Sequence, residues 1–204
     1  TAVNKVSVVI YAWDMCGTPN APNGTFLASL VSDCDADVVA VTLHRCAYDP
    51  SVNNVAYSAP CDLFRRTHEM LTMTVGPYLL AGMHTAGDIA QCVFVRKRLY
   101  RNVTNVETSS VAIERTRPVQ FGKARAKGSA LLMNVCNVSL GFLALPAVVS
   151  ARDEHLFTKT ERSLATDVHD LFVVQFGVTN RPLWPLLADA LQLTPNDGTP
   201  SDTA

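Results

Sequence analysis

Residues Asp37–Leu43 read DVVAVTL, an unbroken run of apolar and mostly β-branched side chains. A strand wetted on one face alternates apolar with polar positions, whereas a continuous run is the pattern of a strand covered on both faces. Such a strand cannot stand in a single layer, so the chain must supply material above and below it. Other stretches have the same strand character. Val3–Trp13 is β-branched and of strand length, and Leu171–Phe176 reads as a last buried strand. Pro77–Met83 and Ile89–Val95 flank Ala86-Gly87-Asp88, a hairpin signal, and Ser129–Val135 and Ser139–Leu145 flank Cys136-Asn137, a second one. Val106–Ile113 is a further strand whose Thr108, Ser109 and Ser110 belong to a solvated stretch.

Helical signals lie between these strands. Thr25–Val31, Asp62–Leu71, Asp153–His169 and a segment starting near Pro185 are the expected helices. Strands with inserted helices and long hairpins define an α/β (α+β) sandwich of two mostly antiparallel sheets flanked by helices. Residues 1–193 are expected to form one domain, and the Pro/Asp/Gly/Thr-rich residues 194–204 a disordered tail.

Composition narrows the function classes. Apolar residues make up 48% and charged residues 17%, with 17 Lys and Arg against 18 Asp and Glu. A net charge of −1 predicts no strong overall attraction to nucleic acid or anionic membrane. Apolar runs stay well below the roughly 18 residues of a spanning helix. The six cysteines, Cys16, Cys34, Cys46, Cys61, Cys92 and Cys136, form no CxxC pair and no zinc spacing, so they are expected to be reduced and buried. An intracellular, cytoplasmic location follows, with an organelle address left open because the sequence starts at Thr1. Three glycosylation sequons, at Asn23, Asn102 and Asn137, are of a kind that arises often by chance.

Charge is unevenly placed. Arg96, Lys97, Arg98, Arg101, Arg115, Arg117, Lys123, Arg125 and Lys127 fall within 32 positions, with only Glu107 and Glu114 between them. They suit an anionic ligand, whether phosphoinositide headgroup, RNA or acidic protein, or else a solvated basic loop balanced by acids elsewhere. Aromatic residues there are few, which disfavours base stacking. His84, His155 and His169 are isolated and expected to be structural or solvated, and Met70 and Met73 are expected to fill the core.

Residues 89–129, from the CVFVR strand through Arg96 to Lys127-Gly128-Ser129, resemble the middle of an inositol-polyphosphate 5-phosphatase domain of the endonuclease/exonuclease/phosphatase superfamily. The resemblance extends in order over residues 3–193. It implies a two-sheet sandwich and Mg²⁺-dependent phosphate chemistry, in which carboxylates hold the metal, an Asp activates water, and a His and two Asn hold the phosphate. It also implies where those groups should stand. The first strand's Thr-Trp-Asn is here Ala12-Trp13-Asp14, and the second strand's Gln-Glu is His44-Arg45. The Asn-Ser-His-Leu of the late hairpin aligns with Ala144-Leu145-Pro146-Ala147, and Gly-Asp-Leu-Asn with Gly177-Val178-Thr179-Asn180. The family's last strands, with their Ser-Asp-His, have no counterpart after Asn180.

The expectation is therefore a degenerate domain that has lost catalysis and serves as a binding or assembly module, with no cofactor. Asp14 and Asn180 are its residual catalytic positions. Lys127, Arg125, Lys123, Arg96, Arg45 and His44 are its anion-binding candidates. His44-Arg45 would also suit a surface pair or a structural salt bridge. A protein partner is expected along the sheet edge that the missing strands leave unpaired. Two alternatives stay open: an active Mg²⁺-dependent inositol-phosphate phosphatase with altered ligands, and a nuclease-related binder of nucleic acid.

Overall fold

A computed structural model of the chain describes residues 5–15, 34–46, 59–113, 126–146 and 170–176, with the side chains of a few of these left out. The described residues form two four-stranded sheets. The first comprises β1 (Val8–Asp14), β2 (Val38–His44), β3 (Tyr78–Ala86) and β4 (Ile89–Arg96) in the order β1-β2-β4-β3. The second comprises β5 (Val103–Ile113), β6 (Ala126–Val135), β7 (Val138–Leu145) and β8 (Leu171–Phe176), paired in sequence order. β1 runs parallel to β2 and β8 parallel to β7, and the other pairs are antiparallel. The expected two-sheet sandwich is thus the observed architecture.

β2 is buried along its whole length because its two faces enter two different cores. Val39, Val41 and Leu43 point with Ala90, Cys92 and Phe94 of β4 toward helix α1 (Ala59–Thr74), where Leu63, Phe64 and Leu71 meet them. Val38 and Ala40 point with Val93 and Val95 toward the other sheet, against Leu131, Met133, Val135, Leu140 and Phe142. Each buried Val, Leu or Phe contributes about 1.5–3 kcal/mol, so the run seen in the sequence is the seam on which both layers close. β3 lies over β5 and β6, and β4 over β6 and β7. Close approach is permitted by Gly82, whose missing Cβ would sit 3.2 Å from Leu131 and 3.3 Å from Val106, beside a register shift between Leu80 and Gly82.

Both hairpins follow their signals. Gly87 takes a positive φ of 59° in the β3–β4 turn, and Cys136 and Asn137 take φ of 53° and 68° in the β6–β7 turn, the pattern of a type I′ connection. Helix α1 is longer than Asp62–Leu71 at both ends, running on to Thr74 before Gly76 (φ 133°) and Pro77 stop it. Its Arg65 and Arg66 pair with Asp62 and Glu69 on the exposed face. Met70 packs on the core as expected, but Met73 is 78% exposed, because the helix turns that position to solvent. Leu171 of β8 is 37% exposed, so this strand is less buried than its sequence implied. Cys34, Cys46 and Cys92 are buried and Cys136 is half-buried. The helices expected at Thr25–Val31, Asp153–His169 and Pro185 onward, the tail, His155 and His169 lie outside the described residues.

The amino ends of β1 and β2 are fastened by Asp37. Its carboxylate accepts hydrogen bonds from the Ser7 amide (3.1 Å), the Ser7 hydroxyl (3.0 Å) and Arg98 (2.7 Å). The Asp37 amide donates to Ser7 Oγ at 2.9 Å, and the Arg96 amide donates to the Asp37 carbonyl at 2.9 Å, bringing in β4. Burial opposes ionisation of Asp37, but the bonds from Arg98 and Ser7 outweigh it and hold the carboxyl below its ordinary range. A carboxyl so lowered stabilises the fold fully above its unfolded value, about 3.9, and loses that effect as pH falls through its native one. Asp37→Ala is therefore expected to lower stability by about 1–3 kcal/mol at neutral pH, with the deficit narrowing below about pH 4. Urea unfolding at pH 7 and pH 3.5 measures both, and equal stability of variant and wild type at pH 7 would refute the fastening role.

Candidate functional site

At the opposite end of the sheets the same alternation continues with different chemistry. The inward positions of β2 pass from Val38 and Ala40 to Thr42 and His44, and those of β4 from Val95 and Val93 to Gln91. Register places Thr42 opposite Gln91 and Gln91 opposite His84, giving a polar row across three strands. The facing sheet supplies a matching row, with Ser110 opposite Ser129, Ser129 opposite Ala144 and Ala144 opposite Gln175. His84 Nε2 lies 3.2 Å from Ser110 Oγ and joins the two rows at the β3–β5 rim. Inside this seam the Gln91 amide donates to Thr42 Oγ1 at 3.3 Å.

The remaining polar atoms are not so provided. Both ring nitrogens of His44, Oε1 of Gln91, Oγ of Ser129 and Oε1 of Gln175 are buried without a hydrogen-bond partner among the described residues. His44 is 3% exposed, Gln91 2% and Ser129 0%. Buried polar groups are otherwise nearly always paired, and each orphan costs about 1–3 kcal/mol. All of these orphans fall on the two facing rows or one step beyond, at His44. Burial lowers the His44 pKa below its ordinary 6.5, against the opposing fields of Asp14 and Asp88, so the ring is neutral at pH 7.

The mouth of the seam is ionic. Asp14 stands opposite His44 in register at the end of β1. Arg45, next in sequence, takes a left-handed φ of 52°. That conformation breaks the strand's alternation and turns the guanidinium onto Asp14, where Nε donates to Oδ1 at 2.6 Å and Nη2 to Oδ2 at 2.5 Å. A left-handed non-glycine residue costs on the order of 1 kcal/mol or more, offset here by a two-pronged, charge-assisted contact. The Met15 amide on the His44 carbonyl (2.9 Å) and the Cys46 amide on the Asp88 carbonyl (2.8 Å) hold this turn to β1 and to the β3–β4 hairpin.

The residues singled out from sequence are only partly gathered here. Asp14, His44 and Arg45 meet at the mouth. The backbone of Lys127 opposes Ala112 at the start of β6, two residues before Ser129 and thus at the same end. Arg96 ends β4 at the far end, donating to Asp35 (2.6 Å) and to the Ala36 carbonyl (2.9 Å) with its guanidinium over the Tyr78 ring. Arg98 is likewise engaged by Asp37, so these two basic residues are balanced by acids. Lys123, Arg125 and Asn180 lie outside the described residues. Thr42, Gln91, Ser129 and Gln175 were missed. Their signal was present, since each is a polar residue at an inward position of an otherwise apolar strand.

The magnesium ion implied by the resemblance does not fit the donors that the described residues supply here. Mg²⁺ takes oxygen ligands, chiefly carboxylates. At the mouth the Asp14 carboxylate has both oxygens on Arg45, and the adjoining inward side chains are Thr42, His44 and Gln91. Among the described residues no three His, Cys, Asp or Glu side chains are grouped to hold a metal.

The two-sheet fold of the chain is similar to that of an inositol polyphosphate 5-phosphatase domain. It superposes on the inositol polyphosphate 5-phosphatase domain of SPsynaptojanin, solved with inositol (1,4)-bisphosphate and calcium ion, with a TM-score of 0.58 and 14% identity over 76% of this chain and 45% of that one. A Cimex nitrophorin mutant in its ferrous NO complex gives a TM-score of 0.56 and 16% identity over 81% of this chain and 57% of that one. At such identities the likeness is one of fold alone, and the chain spans about half the length of these neighbours. No family model matches the sequence, and no curated protein does. No helix among the described residues is long and apolar enough to cross a membrane.

Two outcomes follow from the orphaned groups. Ser129→Ala removes a buried hydroxyl that has no partner among the described residues and is expected to stabilise the ligand-free protein by about 1 kcal/mol, a rise in melting temperature of roughly 2–4 °C; a fall of similar size would show a hidden partner. His44 has a lowered pKa, so its contribution is complete above 6.5 and is lost as pH falls through the window below it. Wild-type stability is expected to decline from pH 7 to pH 5, with His84, also lowered by burial, acting in the same sense. His44→Leu should flatten that slope, and an unchanged slope in urea titrations would remove His44 from the account.

Proposed function

We propose that the chain is a phosphatase-like domain that has given up metal-dependent hydrolysis and works as a binding or assembly module, holding a phosphorylated ligand at the mouth of the seam. One observation carries this reading: the bidentate Arg45–Asp14 contact stands where the resemblance calls for a metal held by carboxylate. A guanidinium that close to a divalent cation is repelled by it, yet the same group suits phosphate, whose oxygens match its fork. Support also comes from the side chain of Arg45, which is 49% exposed, and from Lys127 at the same end of β6. The resemblance further places the apolar residues Pro146 and Val178 at positions where members of the family carry a phosphate-holding His and a water-activating Asp. Removal of one such acid or base costs about 10²–10⁴ in rate. SPsynaptojanin's domain was solved with an inositol bisphosphate, which makes inositol phosphates the first ligands to try here.

The test is calorimetric titration with an inositol polyphosphate and, separately, with Mg²⁺, together with an assay for released phosphate. Expected are salt-sensitive binding of the polyphosphate, no heat from Mg²⁺, and no phosphate release. Arg45→Ala is expected to weaken the polyphosphate by roughly tenfold or more, the loss of charge-assisted bonds worth about 1.5–3 kcal/mol. Mg²⁺-dependent turnover abolished by Asp14→Ala would establish the active alternative instead, and tight single-stranded RNA binding without polyphosphate binding would establish the nucleic-acid one.

A further inference from the structure

The edge strands of the two sheets are unequally open. β1 and β3 are half-buried along most of their length, and β8 is a six-residue strand. β5 differs from them. It runs for 11 residues and pairs only with β6 among the described residues. The side chains of residues 104–110 are all exposed, on both faces of the strand. One row of its backbone N–H and C=O groups therefore has no strand beside it among the described residues. β3 reaches that row through His84, which bonds the Ser110 hydroxyl and the Ser109 backbone and leaves the rest of it open. Natural edges are guarded by Lys, Pro or a bulge. β5 carries a bulge near its start, where Asn105 takes a φ of 53° and the register shifts between Thr104 and Glu107. Beyond it, residues 107–113 pair with β6 without interruption. That stretch, about 24 Å long, holds neither Lys nor Pro, and its Thr108, Val111 and Ile113 are β-branched residues that favour strands.

We propose that two copies of the chain pair along this edge, β5 against β5, antiparallel about a two-fold axis, joining two four-stranded sheets into one. Register favours a second copy as the occupant. In an antiparallel ladder a bonded residue turns both its N–H and its C=O to the partner strand, and alternate residues turn theirs the other way. A strand that bonds its own copy must bring residues of like parity together, so the residue on the axis faces itself. In the middle of β5 that residue is Thr108, Ser109 or Ser110, and each has a hydroxyl that both donates to and accepts from its twin. With these three on the axis in turn, Glu107 of one copy opposes Ser109, Val111 or Ile113 of the other. It never opposes a second Glu107, whose like charge directly across would destabilise the pair. Such a contact is strand addition, held by main-chain bonds. It is also isologous, so it closes on itself and leaves no β5 edge for a third copy. The proposal is independent of the reading of the mouth.

Sedimentation velocity over a dilution series, with hydrogen exchange at both ends of it, tests this. A monomer–dimer equilibrium is expected, in which alternate amides of residues 107–113 exchange more slowly in the dimer than in the monomer. Thr108→Lys with Ser109→Lys puts a cation on each face of the strand beside the axis and is expected to weaken the dimer by roughly tenfold or more. Both side chains are exposed, so melting curves are expected to show the variant folded; if it does not fold, hydrogen exchange on the wild type decides alone. A chain that stays monomeric throughout the series overturns the proposal, whether residues 107–113 exchange fast or are covered by another segment of the same chain. A dimer whose protection falls on β1 or β8 instead overturns it too, as does a dimer that the two lysines leave intact.

Discussion

Everything in this structure depends on β2 being enclosed from both sides. Its outward positions, Val39, Val41 and Leu43, are sealed by α1, and its inward positions, Val38 and Ala40, by the second sheet. A strand so placed has no wet face on which to put a polar side chain. Any polar residue on it must be satisfied inside the protein or by something brought there. Thr42 finds Gln91, whereas His44 at the strand's end has no partner among the described residues. The site therefore arises as the point where the enclosure continues and the apolar sequence does not.

The electrostatics of the mouth follow from the same geometry. Asp14 and His44 share a register position on parallel neighbours, so a carboxylate and an imidazole converge where the strands end. In regular extension Arg45 would face away from both. Its positive φ reverses that, and the guanidinium closes on the carboxylate across 31 residues of sequence. Desolvation of His44 outweighs the opposing fields of Asp14 and Asp88 and holds its pKa below the ordinary value. The neutral seam and the charge-balanced mouth are thus one arrangement.

Much of this was legible in the sequence. Both hairpins, the strands of both sheets and the helix between β2 and β3 follow from periodicity and turn residues, and Leu171–Phe176 matches β8 at both ends. The Arg45–Asp14 contact was not legible, because it depends on a left-handed residue that is not glycine and on a parallel pairing of distant strands. Arg96 was placed with the anion-binding residues for its charge and its position after the CVFVR strand, yet a basic residue at the carboxyl end of β4 emerges at the amino end of its antiparallel partner β2. There Asp35 and the Tyr78 ring receive it. The polar row was visible only as a flaw in apolar strands. Thr42 and Gln91 were passed over because one polar residue in a strand says little until register sets the two side by side.

The fastening at Asp37 and the orphaned seam lie at opposite ends of the same strands. At one end the Asp37 carboxylate holds Ser7 and Arg98 while the Asp37 carbonyl takes the Arg96 amide, and at the other the sheets meet through side chains that bond poorly to one another among the described residues. Cohesion is therefore graded along the strand axis, and the sandwich is built like a clothes peg, sprung shut at the Asp37 end. Fluctuations that part the layers begin at the mouth, where slow amides should give up their protons to deuterium ahead of those beside Ser7. A ligand held at the mouth would tighten the loose end without disturbing the spring.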